Sequence, residues 1–270
     1  MTSIKHHYLP IFYLGNFTNE ENNNQLIAFD MLAWKEEGKN PISRPNIKNL
    51  GCENNLYTIY IEGFARDSFE KILDKDKYVD VYKAIVENKM LNSEEDLIQL
   101  LFFIALTIAR NPKTKEIFWP DFVEKWGNRN LTDIEENLYP MFIQHHTDFW
   151  FYELYNGQIT FVTPEDNSQY LICCDFPVSF EWRRNGEGPG LYEITMPLSF
   201  NLGVHWSKRK SPSVICRSKF LNSDRVNVFN HKTFRSFTRF VYFPPDMMED
   251  DIEPIIEIME IPWDSSGLFD

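Results

Sequence analysis

The chain has 270 residues, 40 acids against 27 bases, and a net charge of −13. Its 43% apolar and 16% aromatic content supplies a sizeable core and excludes a disordered chain, while the bulk charge excludes a general nucleic-acid binder. No stretch nears the ~18 uninterrupted apolar residues that span a bilayer, so no membrane partner is expected. Met1 to His7 lacks the layout of a secretory signal. Four cysteines, two of them adjacent, are too few for a disulfide scaffold, and a reducing cytoplasm is the expected location.

The charge is uneven. Between Asp246 and Asp270 there are nine acids and no base, whereas Phe200 to Pro245 holds nine bases and one acid, Asp224. The expected organisation is a single domain over 1–245 followed by an acidic tail over 246–270. That tail either solvates or folds over its basic neighbour, contacts a basic protein partner, or screens a phosphate-binding surface.

In chain order, Gln25–Asp30 and Leu56–Ile61 read as strands, separated by a loop from Gly38 to Gly51. Residues 65–146 read as helical. One helix is expected over Asp67–Lys89, with a break near Asp76. The clearest element starts at Ser93, a cap followed by Glu94, Glu95 and Asp96. Its apolar residues, from Leu97 to Ile108, cover nearly the whole circumference and predict a buried helix. It must end at Arg110-Asn111-Pro112, because proline cannot continue the ladder. A third helix starts near Thr132, with Asp133 and Glu135 in its first turn and a kink or break at Pro140.

Beyond His146 the period becomes strand-like. Phe149–Tyr155, Asn156-Gly157 and Gln158–Thr163 form a hairpin signal. Strands are expected at Tyr170–Cys174, Tyr192–Pro197 and Leu202–Trp206, with a Gly- and Pro-rich loop from Arg184 to Gly190. A final helix is expected over Asn230–Phe240, placing Arg235 and Arg239 four apart on one face. The predicted class is α+β, a helical middle section packed against a mainly antiparallel sheet formed by the N-terminal and C-terminal parts.

No glycine-rich phosphate loop, Cys-x-x-Cys, His-Glu-x-x-His or Gly-x-Ser-x-Gly motif is present. The candidates are therefore single residues, each with a structural and a functional reading. His7 precedes an apolar cluster and is a base, a ligand or a hydrogen-bonded core histidine. Arg110 complements a helix C-terminus or forks a phosphate or carboxylate. Asp175 follows an apolar strand and needs a partner such as Arg110 or His7; it is an internal ion pair, a general base or a metal ligand. Asn230 should cap the last helix. Arg235 and Arg239 are the phosphate candidates of the basic segment, and Lys208-Arg209-Lys210 reads as an exposed hairpin tip. His6-His7 and His145-His146 could, with Asp175, offer two histidines and a carboxylate to a divalent metal, though no ligand spacing marks them. Trp206, Phe220, Phe229 and Tyr242 interleave with the bases, as on a single-strand-binding surface or simply as core.

The N-terminal run His6-His7-Tyr8-Leu9-Pro10-Ile11-Phe12-Tyr13-Leu14-Gly15-Asn16-Phe17 resembles the opening of a bacterial family catalogued as domain of unknown function 4238. His7, Pro10, Phe12, Tyr13, Leu14 and Phe17 match, while Gly15 stands where arginine is usual. Ala109 to Pro112 resembles the family's Arg-Thr-Pro after an apolar helix, and Cys173 to Val178 resembles its Thr-Ser-Asp-x-Pro-Val segment. Asn230 to Arg239 resembles its Asn-led final helix, with Phe237 where a small residue is common. The resemblance spans roughly residues 6–245 and implies relatives rather than a reaction.

Two functions fit. One is an enzyme or effector acting on a phosphate-bearing ligand (a nucleotide or nucleic acid), hydrolase- or nuclease-like, its site gathering His7, Arg110, Asp175, Asn230 and Arg239. The other is a non-catalytic binding or interaction module in which these residues form an internal polar network.

Overall fold

In a computed structural model, the chain divides into two units, Met1–Ile11 with Gly51–Asn156 and Phe12–Leu50 with Gly157–Asp270. The described residues are 5–18, 24–54, 56, 59–61, 64–66, 76–126, 135–185, 188–208 and 216–261. The N-terminal third contributes short elements: β1 (Lys5–His7), α1 (Ile11–Leu14), β2 (Ile27–Asp30), α2 (Met31–Trp34), β3 (Ile42–Ser43), β4 (Cys52–Asn54), β5 (Ile59–Ile61) and β6 (Phe64–Arg66). Helices α3 (Asp76–Asn88), α4 (Glu94–Arg110), α5 (Pro112–Trp126) and α6 (Glu135–Tyr155) follow. Then come β7 (Gly157–Pro164), β8 (Cys173–Cys174), β9 (Ser179–Asn185), β10 (Gly188–Ser199), β11 (Leu202–Lys208) and β12 (Cys216–Leu221). The chain closes with α7 (Ser223–Ser236), β13 (Phe240–Phe243) and α8 (Ile252–Glu260). The fold is α+β with predominantly antiparallel sheets.

The first unit is built on α4. Ser93 Oγ accepts the Asp96 N–H at 3.1 Å, and the Asp96 carboxylate in return takes the Asn92 N–H at 3.0 Å. One free donor of the first turn and the N–H of the residue before the cap are thus satisfied. Leu97, Leu100, Leu101, Ile104 and Ile108 are buried, and so is the opposite side through Phe103 and Leu106. Asn111 turns to an extended conformation and Pro112 opens α5. Leu106 and Ala109 pack with Phe122, Leu138, Phe142 and Ile143 of α5 and α6. Antiparallel β1–β4 and β5–β6 pairs complete this unit.

Helix α6 corrects two expectations. It runs through Pro140 without a break, and it absorbs Phe149–Tyr155, so no hairpin forms at Asn156-Gly157. Aromatic residues favour strands only where a pleated surface is there to receive them. Here Tyr139, Ile143, Thr147, Trp150 and Leu154 recur at helical spacing and are buried, which decides the matter. Asn156 Nδ2 donates to the Tyr152 carbonyl at 2.8 Å at the helix end.

The second unit carries two sheets, ordered β12-β7-β11-β10-β9 and β3-β2-β13-β8. All pairings are antiparallel except β12 with β7. The region from Arg184 to Gly190, expected as a loop, instead continues the β9–β10 pairing down to Asn185 opposite Gly188. Gly157 opens β7 where a Cβ would lie 1.9 Å from the buried Trp206 indole nitrogen, so only glycine fits there.

Among the described residues, the acidic C-terminal segment up to Ile261 is not purely solvated. Helix α8 buries Ile252 and Ile256 among Ile27, Phe29, Ile172, Phe234 and Phe243, so the boundary expected after Pro245 falls inside a packed unit. Arg44 holds this region through Glu249 at 3.2 Å and the Pro245 carbonyl at 2.7 Å. Lys35 lies 3.8 Å from Glu260. Such exposed pairs contribute less than about 1 kcal/mol each, so the two isoleucines hold the helix in place. Ile256→Ala should lower stability by about 2–3 kcal/mol in urea denaturation, and a loss under about 0.5 kcal/mol would show that the helix does not pack.

The expected helix segment 67–75, the helix start at Thr132 and Asp133, and the tip residues Arg209 and Lys210 lie outside the described residues.

Candidate functional site

The residues singled out from the sequence have clear structural partners. Arg110 is 1% exposed at the end of α4, and its guanidinium donates to the main-chain carbonyl of His7. The two are thus brought together through the backbone of the half-buried His7. In the second unit, Asp175 Oδ1 accepts the Thr238 N–H at 2.7 Å, and its Oδ2 accepts those of Arg239 and Phe240 at 2.8 and 3.1 Å. Burial pushes this carboxyl above its ordinary range, against the pull of those backbone donors.

Asn230 does not cap the last helix. Asn222 does so, accepting the Arg225 N–H at 3.1 Å, and α7 ends at Ser236. Asn230 lies inside α7, where its amide accepts the Ile172 N–H at 2.9 Å and donates to the Tyr170 carbonyl at 2.8 Å. It stands in for a neighbouring strand, which explains why only Cys173–Cys174 of the expected Tyr170–Cys174 strand pairs in a sheet. The early end of α7 also separates the two phosphate candidates. Arg235 is exposed on the helix, whereas Arg239 lies beyond it and forks Asp30 at 3.0 and 2.5 Å. Burial disfavours the charge on Asp30, but Arg239 and the N–H groups of Ala33 and Leu32 hold its carboxyl below the usual range.

The two adjacent cysteines and His6 are buried, His7 and His146 are half-buried and His145 is exposed. His146 sits 4.2 Å from the Phe142 ring centroid, and burial together with the charge of His145 lowers its pKa to about 4. Burial pushes the Cys173 thiol up to about 12, with Tyr13 Oη 3.4 Å from its sulfur. Among the described residues, no three His, Cys, Asp or Glu side chains gather where they could hold a metal ion.

A different constellation occupies one face of the five-stranded sheet. On β10, Ile194, Met196 and Leu198 are buried on one side, so strand alternation places Glu193 and Thr195 on the other. Register puts His205 of β11 between Thr195 of β10 and Thr160 of β7, and Glu181 of β9 opposite Glu193. Helix α7 lies across this face. Val226 and Phe229 pack with Val162, Leu171 and Leu221. Gly203 permits the approach, since a Cβ there would lie 2.6 Å from the Phe229 ring. One turn on, Lys232 comes down between the two carboxylates. Its Nζ is 2.5 Å from Glu193 Oε2 and 3.0 Å from Glu181 Oε2.

The other Glu193 oxygen, Oε1, lies 3.2 Å from His205 Nε2, so one buried carboxylate spans a lysine and a histidine. Burial alone would raise the Glu193 pKa, but His205 and Lys232 outweigh it and hold the carboxyl well below the usual range. Beyond His205 opens a cavity of about 240 Å³ lined by Gln158, Thr160, His205, Ser207, Arg217 and Lys219. Arg225 of α7 stands near Lys219. Burial and, secondarily, the Arg225 charge lower the Lys219 pKa.

The arrangement offers an imidazole beside a buried carboxylate and on the wall of a basic cavity, which suits anion binding and proton transfer. Sequence reading missed it because Glu193 and His205 look like ordinary strand members. The available signal was a single ionisable residue within an otherwise largely apolar strand, Glu193 beside Ile194 and His205 between Val204 and Trp206.

An α+β chain with a histidine beside a buried carboxylate on a sheet face is the class that fold and site define. The chain belongs to the family described as protein of unknown function (DUF4238), whose family model matches residues 5–247 and so includes all these side chains. No curated protein and no solved structure matches it. Among the described residues, no helix is long and apolar enough to cross a membrane.

Proposed function

We propose that the second unit binds a phosphate-bearing ligand, such as a nucleotide or a nucleic-acid end, in the cavity beside His205 and acts on it as a hydrolase. The observation that carries this reading is that His205 belongs both to the buried Glu193–Lys232 network and to the cavity wall. Arg217 and Lys219 would take the phosphate oxygens, and none of the cavity-lining residues is acidic. Glu193 occupies the Nε2 side of the ring, so exchange with the ligand would pass through Nδ1. In that reaction a water oxygen attacks phosphorus as His205 takes its proton, the bond from phosphorus to the leaving oxygen breaks, and that oxygen receives the proton. The basic segment supplies attraction locally although the whole chain is acidic.

Calorimetry with inorganic phosphate and adenosine 5′-monophosphate tests the binding, and phosphate release from p-nitrophenyl phosphate tests the chemistry. The Arg217→Ala/Lys219→Ala variant should weaken binding at least about tenfold, because two charge-assisted contacts are lost. His205→Gln should bind but release no phosphate. If the wild type binds neither probe at millimolar concentration, the reading is wrong. If it binds but releases no phosphate, the non-catalytic module is the better description, and release unchanged in His205→Gln would remove His205 as the base. The backbone contacts of Arg110 and Asp175 favour that alternative for those two residues.

A further inference from the structure

We infer that the group received by this cavity is a terminal phosphomonoester, bound end-on as its dianion, with the rest of the molecule lying outside along β12. This rests on the phosphate reading above and specifies its substrate class.

Size comes first. Pockets that enclose a whole small ligand run to roughly 300–1,000 Å³, and this one is about 240 Å³. It holds a phosphate and a few further atoms. Behind His205 the space is filled by Glu193, with Lys232 Nζ at 2.5 Å from it and Glu181 beyond. A chain cannot pass in that direction, so a phosphate flanked by substituents on both sides is disfavoured against one at a chain end.

Charge points the same way. Arg217 and Lys219 line the cavity and Arg225 stands near Lys219. Neither Arg217 nor Arg225 has an ion pair among the described residues. A phosphomonoester carries about −1.5 to −2 at neutral pH, whereas a diester carries only a single charge and leaves more of the cluster uncompensated.

The outer part of the ligand also has a place to rest. Strand β12 is an end strand of its sheet, and next to Lys219 it presents Phe220, 66% exposed. Ring and ammonium point to opposite sides of the strand, so a ligand with its phosphate in the cavity would turn over the sheet edge to lay a flat base against Phe220.

The test uses the full chain and a matched pair of probes, adenosine 5′-monophosphate and its 5′-phosphate methyl ester, which differ by one methyl group and about one charge. Calorimetry should show the monoester binding at least tenfold tighter, and Arg217→Ala/Lys219→Ala should abolish that preference. Phe220→Ala should weaken adenosine 5′-monophosphate several-fold and leave inorganic phosphate unchanged. Equal binding of monoester and methyl ester would overturn the terminal-phosphate inference while the phosphate reading stands. Failure of inorganic phosphate and both nucleotides to bind would remove both. Melting curves confirm that the variants, all substituted at half-buried or exposed positions of β12, remain folded.

Discussion

Asp175→Ala should cost about 3–4 kcal/mol of stability, one of the two largest losses expected from a single polar side chain among the described residues. The carboxylate receives three backbone N–H groups, those of Thr238, Arg239 and Phe240, in the turn that carries the chain from α7 into β13. Removing it leaves three partly buried donors without their acceptor, and each such group costs about 1–3 kcal/mol where fully buried, so the lower part of that range applies here. Burial pushes the Asp175 carboxyl up while those bonds pull it down. The loss therefore comes from what the substitution leaves behind. Asp175→Asn, whose amide oxygen accepts but whose nitrogen does not, should fall between wild type and alanine. Urea denaturation measures the series, and a loss under about 1 kcal/mol for Asp175→Ala would refute the clasp.

Lys232→Met should cost about 3–5 kcal/mol, because breaking a buried charge pair strands its partner. Here the consequence is specific. Glu193 and Glu181 occupy paired positions on β10 and β9, and the Lys232 side chain, 10% exposed, is the cation that reaches both. Without it, two like charges face one another across a ladder, an arrangement that destabilises a sheet. The pH dependence should then reverse. In the wild type the Glu193 carboxyl lies below its unfolded value, so its contribution is present above about pH 4.3 and is lost as pH falls further. In Lys232→Met the carboxylates bind protons more readily in the folded state, so the deficit should shrink as pH falls toward 5. A Glu193→Gln substitution added to Lys232→Met should recover more than half the loss. A deficit independent of pH would show that packing, and not charge, is what Lys232 supplies.

Helix α4 was fully legible. Its cap, acidic first turn, apolar circumference and proline stop all lie within twenty residues of sequence, and local rules suffice for such a segment. Strands β2, β10 and β11 were legible for the same reason, alternation and β-branched content being local. The segment Phe149–Tyr155 was not, since its aromatics suit either element and only the surface under α6 chooses between them. Asn230 was misplaced because an asparagine near a helix start and one that replaces a strand look alike until the distant Tyr170 and Ile172 backbone is known.

Composition and pattern by themselves determined an α+β chain, its buried central helix and its uneven charge. They also marked Asp175 as an acid in need of partners. Only the tertiary structure decided who those partners are, that the acidic C-terminal region packs through Ile252 and Ile256, and that Glu193, His205 and Lys232 meet. The physical reason is the same in each case. Hydrogen-bond register and helix-on-sheet packing join residues tens of positions apart, and a one-residue change in register would send Glu193 and His205 to the opposite face of the sheet.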